Sequence, residues 1–454
     1  MSAANSRVWY DVDRDFTADF ALVSDDNQRL ESLAYDDDGD GEPDRVYDLA
    51  DYALDEVPHL IILLDSIPFD AVREYYAKSS NPVWTRFHEP AKVIAPFPSS
   101  SALCFSAILH APPMPGMINR HFDSRPQYNS VNNLITKRAS GYRNPWQRRL
   151  HYNIDYSDNG YAWLKPRPWM RAEMERARRA FDASPDRFTI VYIASTSAML
   201  SKYGREGLDE ALRELEKFVL QVMYERKGAV AISILSDHGH NLVPSTWIDV
   251  GKALGDHGYR VSDKLTGPRD VFLEMDGLMT YFGVHTTQPV AVADALLTMR
   301  ELELVMYMEG AHIVVRDHRG AARIRLEDGR YIYEPGSADV LGYGDLADQA
   351  LTREQWLART ADHTFPDAPP RIWDAFHGIA VSTPQVMVTV RDGYHSGITW
   401  FELFIDMKST HGGINQGNSA AFLMTMTRPV EGPLRSAEVL DAIEPGFTPQ
   451  VLDR

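Results

Sequence analysis

Five stretches of this chain carry side chains able to bind a divalent cation or to attack an electrophile. Asp65 ends the run HLIILLD, and Ser99, Ser100 and Ser101 stand in FPSSSALCFSAIL. Asp237 and His238 end ILSDH, His411 sits in STHGGINQG, and Asp36, Asp38, Asp40 and Asp44 crowd DDDGDGEPD. Carboxylates and neutral imidazoles hold divalent ions, and a bound ion lowers the pKa of a coordinated hydroxyl until it can attack. The same charge stabilises phosphoryl oxygens in a transition state. Serines placed just before the apolar run ALCFSAIL also gain the backbone N–H donors of a helix N-terminus for an anion. Two carboxylates, one imidazole and one hydroxyl suit zinc and manganese alike. Taken singly, Asp65 and the serines read as helix caps and His411 as a surface histidine. Their joint order is what points to a site.

Such residues need elements that bring them together. HLIILLD, RFTIVYIAS and GAVAISILSD are short continuous apolar runs bounded by turn residues, the pattern of strands buried on both faces. Between the second and third, GREGLDEALRELEKFVLQVMYERKG sets Leu208, Leu212, Leu215, Val219 and Val222 on one helical face and closes on Gly228. The spacing predicts a βαβ unit and an α/β fold: a doubly wound, mostly parallel sheet flanked by helices. Ligands of such sheets lie at the carboxyl ends of strands, where Asp65, Asp237 and His238 fall. Residues 1–57 alternate around Asp-rich turns and predict a small N-terminal β appendage. Residues 58–454 make the main domain, with insertions near 114–185 and 262–400 that lack a βα rhythm and are expected to wall the site. YIASTSAMLSKYG, residues 192–204, reads as a strand end running into a loop and then a helix.

The 454 residues are 44% apolar and 24% charged, an ordinary composition for a chain with a sizeable core. A net charge of −18 disfavours attachment to nucleic acid or anionic lipid. The single cysteine, Cys104, excludes an internal disulfide and a cysteine-rich zinc module. No apolar run approaches the roughly 20 residues of a membrane span, and MSAANSRVWYDVDRDF has no signal-like apolar region. The expectation is a soluble chain whose location the sequence does not assign.

The order LLDSIPFD, FPSSS, a strand with a following Gly segment, SDHG and STHGG resembles the alkaline phosphatase superfamily, most closely its type I phosphodiesterase and nucleotide pyrophosphatase branch, over about residues 58–427. The resemblance implies one metal held by Asp65, Asp237, His238 and the nucleophilic hydroxyl. That nucleophile falls at Ser101, or at Ser100 if the frame shifts by one residue. It also implies a second metal held by the Asp and His of a TDxxGH loop and by the His of THG, here His411. TSAMLS lies on that loop, so Ser197 stands where the Asp belongs and Ser201 where the His belongs. The second site loses two of its three protein ligands, leaving the expectation of one strongly held Zn2+ or Mn2+ and at most a weak second ion. The sulfatase branch is set aside, because its nucleophile is a Cys in CxPxR and Cys104 is followed by FSAIL. What the resemblance implies is a phosphoryl-group hydrolase acting on a phosphorylated small molecule. A single-metal phosphotransferase and a degenerate binding protein are the alternatives.

Asp36, Asp38, Asp40 and Asp44 occupy positions 1, 3, 5 and 9 of a calcium loop with Gly41 at the turn, although position 12 is Tyr47 rather than Glu. A structural Ca2+ is the candidate there, and it would suit an extracytoplasmic setting. His240 has no counterpart in the resemblance and reads as a loop residue or a neighbour of the ligands. His110, His121 and His151 read as insertion surface. Arg120, Arg125, Lys137, Arg138, Arg143, Arg148 and Arg149 form a basic stretch that either a substrate phosphate or solvent meets.

Overall fold

The computed structural model describes residues 6–12, 16–123, 143–154, 162–275, 277, 279–397 and 406–452. The N-terminal β appendage is a four-stranded antiparallel meander, β1 (Ser6–Tyr10), β2 (Phe20–Ser24), β3 (Leu30–Tyr35) and β4 (Arg45–Asp48). Alternation along β2 and β3 turns Phe20, Leu22, Leu33 and Tyr35 to one face. That face packs into the same apolar cluster as Leu60, Ile62 and Leu64 of the next strand.

The central sheet has six strands in the order β18-β6-β17-β8-β5-β7. They are β5 (His59–Leu64), β6 (Ala91–Ile94), β7 (Phe188–Ile193), β8 (Ala231–Ser236), β17 (Ala420–Thr425) and β18 (Leu434–Arg435). The three strands expected from the apolar runs are β5, β7 and β8, and both of β5's pairings are parallel. Every residue of β5 is buried: Ile61 and Leu63 enter one core, Leu60, Ile62 and Leu64 the other. This is why the run is continuous rather than alternating. β17 runs antiparallel to both of its neighbours, so the sheet is mixed.

Register decides where the polar ends go. Leu64 pairs with Ile193 on one side and Ser236 on the other, so Asp65, Ala194 and Asp237 leave the sheet at one level. Ala420 pairs with Ile94, so the turn after β6 and the loop before β17 emerge at that same edge. Helices follow: α1 (Phe69–Lys78) after β5, α2 (Ser101–Ile108) after β6, α3 (Pro166–Ala183) before β7 and α4 (Ser195–Glu225) between β7 and β8.

The segment expected as a loop after β7 is instead helical. α4 begins at Ser195 and changes direction at Gly204, whose φ of 58° and ψ of −131° break the helical path. Ser and Thr weigh against helix in the sequence pattern, yet here their hydroxyls are taken up by the site. A side chain at Gly204 would also crowd Lys408, with a Cβ 3.2 Å from that residue's Cβ.

The stretch 262–400, which lacks a βα rhythm, is largely a second sheet of its own. Its strands are β9 (Arg260–Val261), β10 (Asp270–Glu274), β11 (Tyr281–His285), β12 (Leu302–Glu309), β13 (His312–Arg316), β14 (Ala321–Glu327), β15 (Arg330–Pro335) and β16 (Val386–Val390). They lie in the order β9-β10-β11-β16-β12-β13-β14-β15, antiparallel except for the β9-β10 pair. Leu304 and Met306 point into the core shared with Ile61 and Leu63, while Val305 and Tyr307 face a third cluster with Val284 and Val388. α5 (Ala368–Phe376) lies on the shared side. No helix among the described residues is long and apolar enough to cross a membrane.

Candidate metal centre

Asp65, Asp237 and His238 meet at the strand ends: each offers one ligand atom, and these atoms lie within 4.8 Å of one another. All three are buried. Asp237 is set by its Oδ1, which accepts from the backbone N–H of Ser66 at 3.0 Å and of His238 at 2.9 Å. Its Oδ2 is buried and meets no hydrogen-bond donor among the described residues. His238 donates Nδ1–H to the carbonyl of Gly239 at 2.9 Å, because a carbonyl can only accept. The neutral ring therefore carries a bare Nε2, and burial lowers its pKa and keeps it neutral. That Nε2 lies 3.2 Å from Asp237 Oδ2 and 3.9 Å from Asp65 Oδ1. Acceptors crowded together in a buried space call for a proton or a cation between them. Burial first, and then the charge of Asp65, pushes the Asp237 carboxyl well above its usual range. The donor set of carboxylate oxygens, an imidazole nitrogen and a nearby hydroxyl fits a metal ion.

The serines separate cleanly. Ser99 Oγ donates to the carbonyl of Gly413 at 3.0 Å, and Ser100 Oγ to that of Met117 at 3.0 Å. Ser101 alone faces the cluster: its Oγ lies 3.4 and 3.5 Å from the two oxygens of Asp65 and 3.2 Å from His238 Nε2. It is the first residue of α2, and the residue before it, Ser100, makes no side-chain cap. The ordinary cap reading of these serines therefore does not account for them.

His411 comes in from the loop before β17 and stacks on His238, with ring centroids 4.2 Å apart and planes at 17°. It donates Nδ1–H to the carbonyl of Ser99 at 3.1 Å, which leaves its Nε2 bare. Burial, and secondarily His238, lowers its pKa to about 3. The loop is pinned on both sides. Asn241 N–H donates to the Thr410 carbonyl at 3.0 Å while Asn241 Oδ1 accepts from Thr410 N–H at 3.0 Å. On the other side, the buried guanidinium of Arg371 on α5 donates to Ser419 Oγ at 2.7 Å and to the Ile414 carbonyl at 3.0 Å. At Gly239 a Cβ would stand 2.4 Å from the carbonyl oxygen of Gly417, so only glycine lets the two turns touch.

Ser197 and Ser201 lie one helical turn apart near the start of α4, both buried. Neither brings a charge. Ser66 Oγ donates to Asp65 Oδ1 at 2.7 Å, so Ser197 Oγ, 3.2 Å from Ser66 Oγ, can in turn donate to it. Ser201 Oγ lies 3.4 Å from Nε2 of His240, whose Nδ1 meets Ser409 Oγ. His240 is thus a buried neighbour of the ligands, its ring centroid 5.4 Å from that of His411. Burial, then His411 and His238, lowers its pKa well below the usual value.

Several contributors escape a reading of the sequence. Ser66 holds a left-handed φ of 68°, unusual for a non-glycine, and from there serves both carboxylates. Tyr192 donates its phenol to Asp65 Oδ2 at 2.5 Å, and Thr196 Oγ1 donates to the Asp65 main-chain oxygen at 2.7 Å. The one available signal was Tyr192 itself, a polar tip at the end of an apolar run, since a buried hydroxyl must find a partner.

Other expected positions lie elsewhere. Asp36, Asp38 and Asp40 bring carboxylate oxygens within 4.8 Å of one another, whereas Asp44 lies outside that group and accepts from Asp37 N–H at 2.7 Å. His151 is buried rather than on an insertion surface: its Nε2 lies 2.9 Å from Asp186, and its Nδ1 accepts from Ile190 N–H. His110 is exposed and bonded to the Ala437 carbonyl. Arg120 lies over the Phe272 ring, and Arg149 donates to the Pro449 carbonyl at 2.5 Å. Arg125, Lys137 and Arg138 lie outside the described residues. No family model and no curated protein matches this chain.

Proposed function

We propose that this chain is a metal-dependent phosphoryl-group hydrolase of phosphodiesterase or phosphatase type, acting through Ser101 with one strongly held Zn2+ or Mn2+. The observation that carries the reading is a hydroxyl at the N-terminus of a buried helix, set 3.2 Å from a bare imidazole nitrogen and beside two carboxylates. Asp65, Asp237 and His238 would hold the ion. When bound, it would supply Lewis acidity and lower the pKa of the serine hydroxyl. Ser101 is the nucleophile: its Oγ forms a bond to phosphorus as the bond to the leaving-group oxygen breaks. The first-turn N–H groups of α2 face the anionic oxygens. Water then attacks phosphorus and the Ser101 oxygen leaves, which restores the hydroxyl. An alcohol in place of water makes the same site a phosphotransferase.

His411 presents a bare Nε2 to the same space, suited to a substrate phosphate or a weak second ion. Ser197 and Ser201 supply neutral hydroxyls where the resemblance leads one to look for an acid and an imidazole. That substitution favours the alternative of a degenerate protein that binds a phosphorylated ligand without turning it over. At the Asp36 turn, a structural Ca2+ is a separate proposal supported by the three clustered carboxylates.

Nitrophenyl phosphate mono- and diesters, assayed with added Zn2+ or Mn2+, distinguish these readings. Turnover is expected in wild type and should fall by roughly 1000-fold or more in Ser101→Ala, with metal still retained. Unchanged turnover in that variant rules out Ser101 as the nucleophile. A panel with no turnover beside tight phosphate binding supports the binding protein.

A further inference from the structure

We propose that Tyr192 is a positioning residue of the metal centre, holding the Asp65 carboxylate in one orientation toward a bound cation. This rests on the reading of Asp65, Asp237 and His238 as ligands. Asp65 is held by donors from three separate parts of the chain: Tyr192 on β7 at Oδ2, Ser66 in the turn after β5 at Oδ1, and Thr196 on α4 at the main-chain oxygen. The phenol contact, at 2.5 Å, is the shortest of the three, and both groups are buried.

The ring itself cannot swing away. It meets Phe105 edge-on at 4.8 Å and Trp146 at 5.6 Å. Phe105 lies one turn along α2 from Ser101, so Tyr192 packs against the nucleophile's helix while its hydroxyl fixes the ligand. A phenylalanine would fill the same space in this apolar strand. The hydroxyl is therefore the part of the side chain that packing does not require. With Oδ2 engaged, Asp65 meets a cation in one fixed orientation rather than swinging between one- and two-oxygen contact. Partners that orient a ligand in this way typically change metal affinity by about 10–100-fold when removed.

The experiment is Tyr192→Phe in the full chain, probed with Zn2+ against a chromophoric chelator and with Co2+ by its visible spectrum. The expected result is a Zn2+ dissociation constant raised about 10–100-fold, an altered Co2+ spectrum and a thermal midpoint of the metal-free chain close to wild type. In the Asp65→Asn background the same substitution should add nothing to metal loss. Turnover of nitrophenyl phosphates should fall in kcat with KM retained. Wild-type affinity and spectrum in Tyr192→Phe overturn the proposal and leave the metal centre intact. A metal-free variant far less stable than wild type assigns the hydroxyl to folding and overturns it too. A wild-type chain that takes up neither Zn2+ nor Co2+ removes the centre itself and the role of Tyr192 with it.

Discussion

Glu173 shows what one buried carboxylate costs and contributes. It reaches from α3 to accept the Ala194 and Ser195 N–H groups at 3.0 and 2.9 Å, which caps the N-terminus of α4. Burial outweighs these bonds and raises its pKa from 4.5 to about 7. Between those values the folded chain keeps a proton that the unfolded chain releases, so stability falls as pH rises through the window. The contribution is fully present below about pH 4.5 and is lost above about pH 7, a span worth about 3 kcal/mol. Urea denaturation at pH 5 and pH 8 should show Glu173→Gln losing less stability over that interval than wild type. Equal losses would mean that the buried charge is not borne by Glu173. At this scale the sequence exposes Asp65, Asp237 and His238 because they end apolar runs, Ser101 because it precedes one, and His411 because it stands in a Gly-rich turn ahead of another. It hides Ser66 and Tyr192, whose partners are chosen by register and by turns packed together from distant parts of the chain, whereas His240 is visible as a neighbour of SDHG.

Among the elements, the turn after β8 and the loop before β17 form one joint. Gly239 lies against the Gly417 carbonyl, and two hydrogen bonds tie Asn241 to Thr410, so these contacts bring together the two turns on which His238 and His411 stack. Gly239→Ala must push these turns apart. The expected outcome is a loss of about 1–3 kcal/mol in stability together with weaker Zn2+ retention, read by thermal melting and metal analysis of one preparation. Retention equal to wild type would show that the stacked histidines tolerate separation. The strands feeding this joint, β5 and β8, are legible as unbroken apolar runs because both faces are buried. The start of α4 is not, since Ser195, Thr196, Ser197 and Gly204 all argue locally against helix and are overruled by Glu173 and by the hydroxyl contacts to Asp65 and Ser66. The eight-stranded sheet was missed as well. Strands such as AARIRLE carry arginines on their outer face and so leave no run of the β5 kind, while the buried run VMVTV of β16 lies far along the chain from the strands β11 and β12 that it joins.

Across the whole molecule, three sheets share cores: the N-terminal meander packs on one face of the central sheet, and the eight-stranded sheet on the other. The site therefore sits where β5, β6, β7 and β8 end and β17 begins, so that five strands of the central sheet meet around it. Saturating Zn2+ at about 100 times its dissociation constant should add about 2.7 kcal/mol to unfolding and raise the thermal midpoint, while a chelator should reverse it. A midpoint indifferent to metal would place the ion outside the folded centre.

The ends of these strands are far apart along the chain. Ser101 meets His238 across 137 positions, and His411 meets Ser99 across 312. Asp65, Asp237 and His238, by contrast, leave two strands that pair directly, β5 and β8, so the part of the chain made first already carries all three. β6, which leads to Ser101, joins β8 only across β17, and His411 precedes β17 in the chain. The hydroxyl and the stacked imidazole are thus the late arrivals in the birth of this protein.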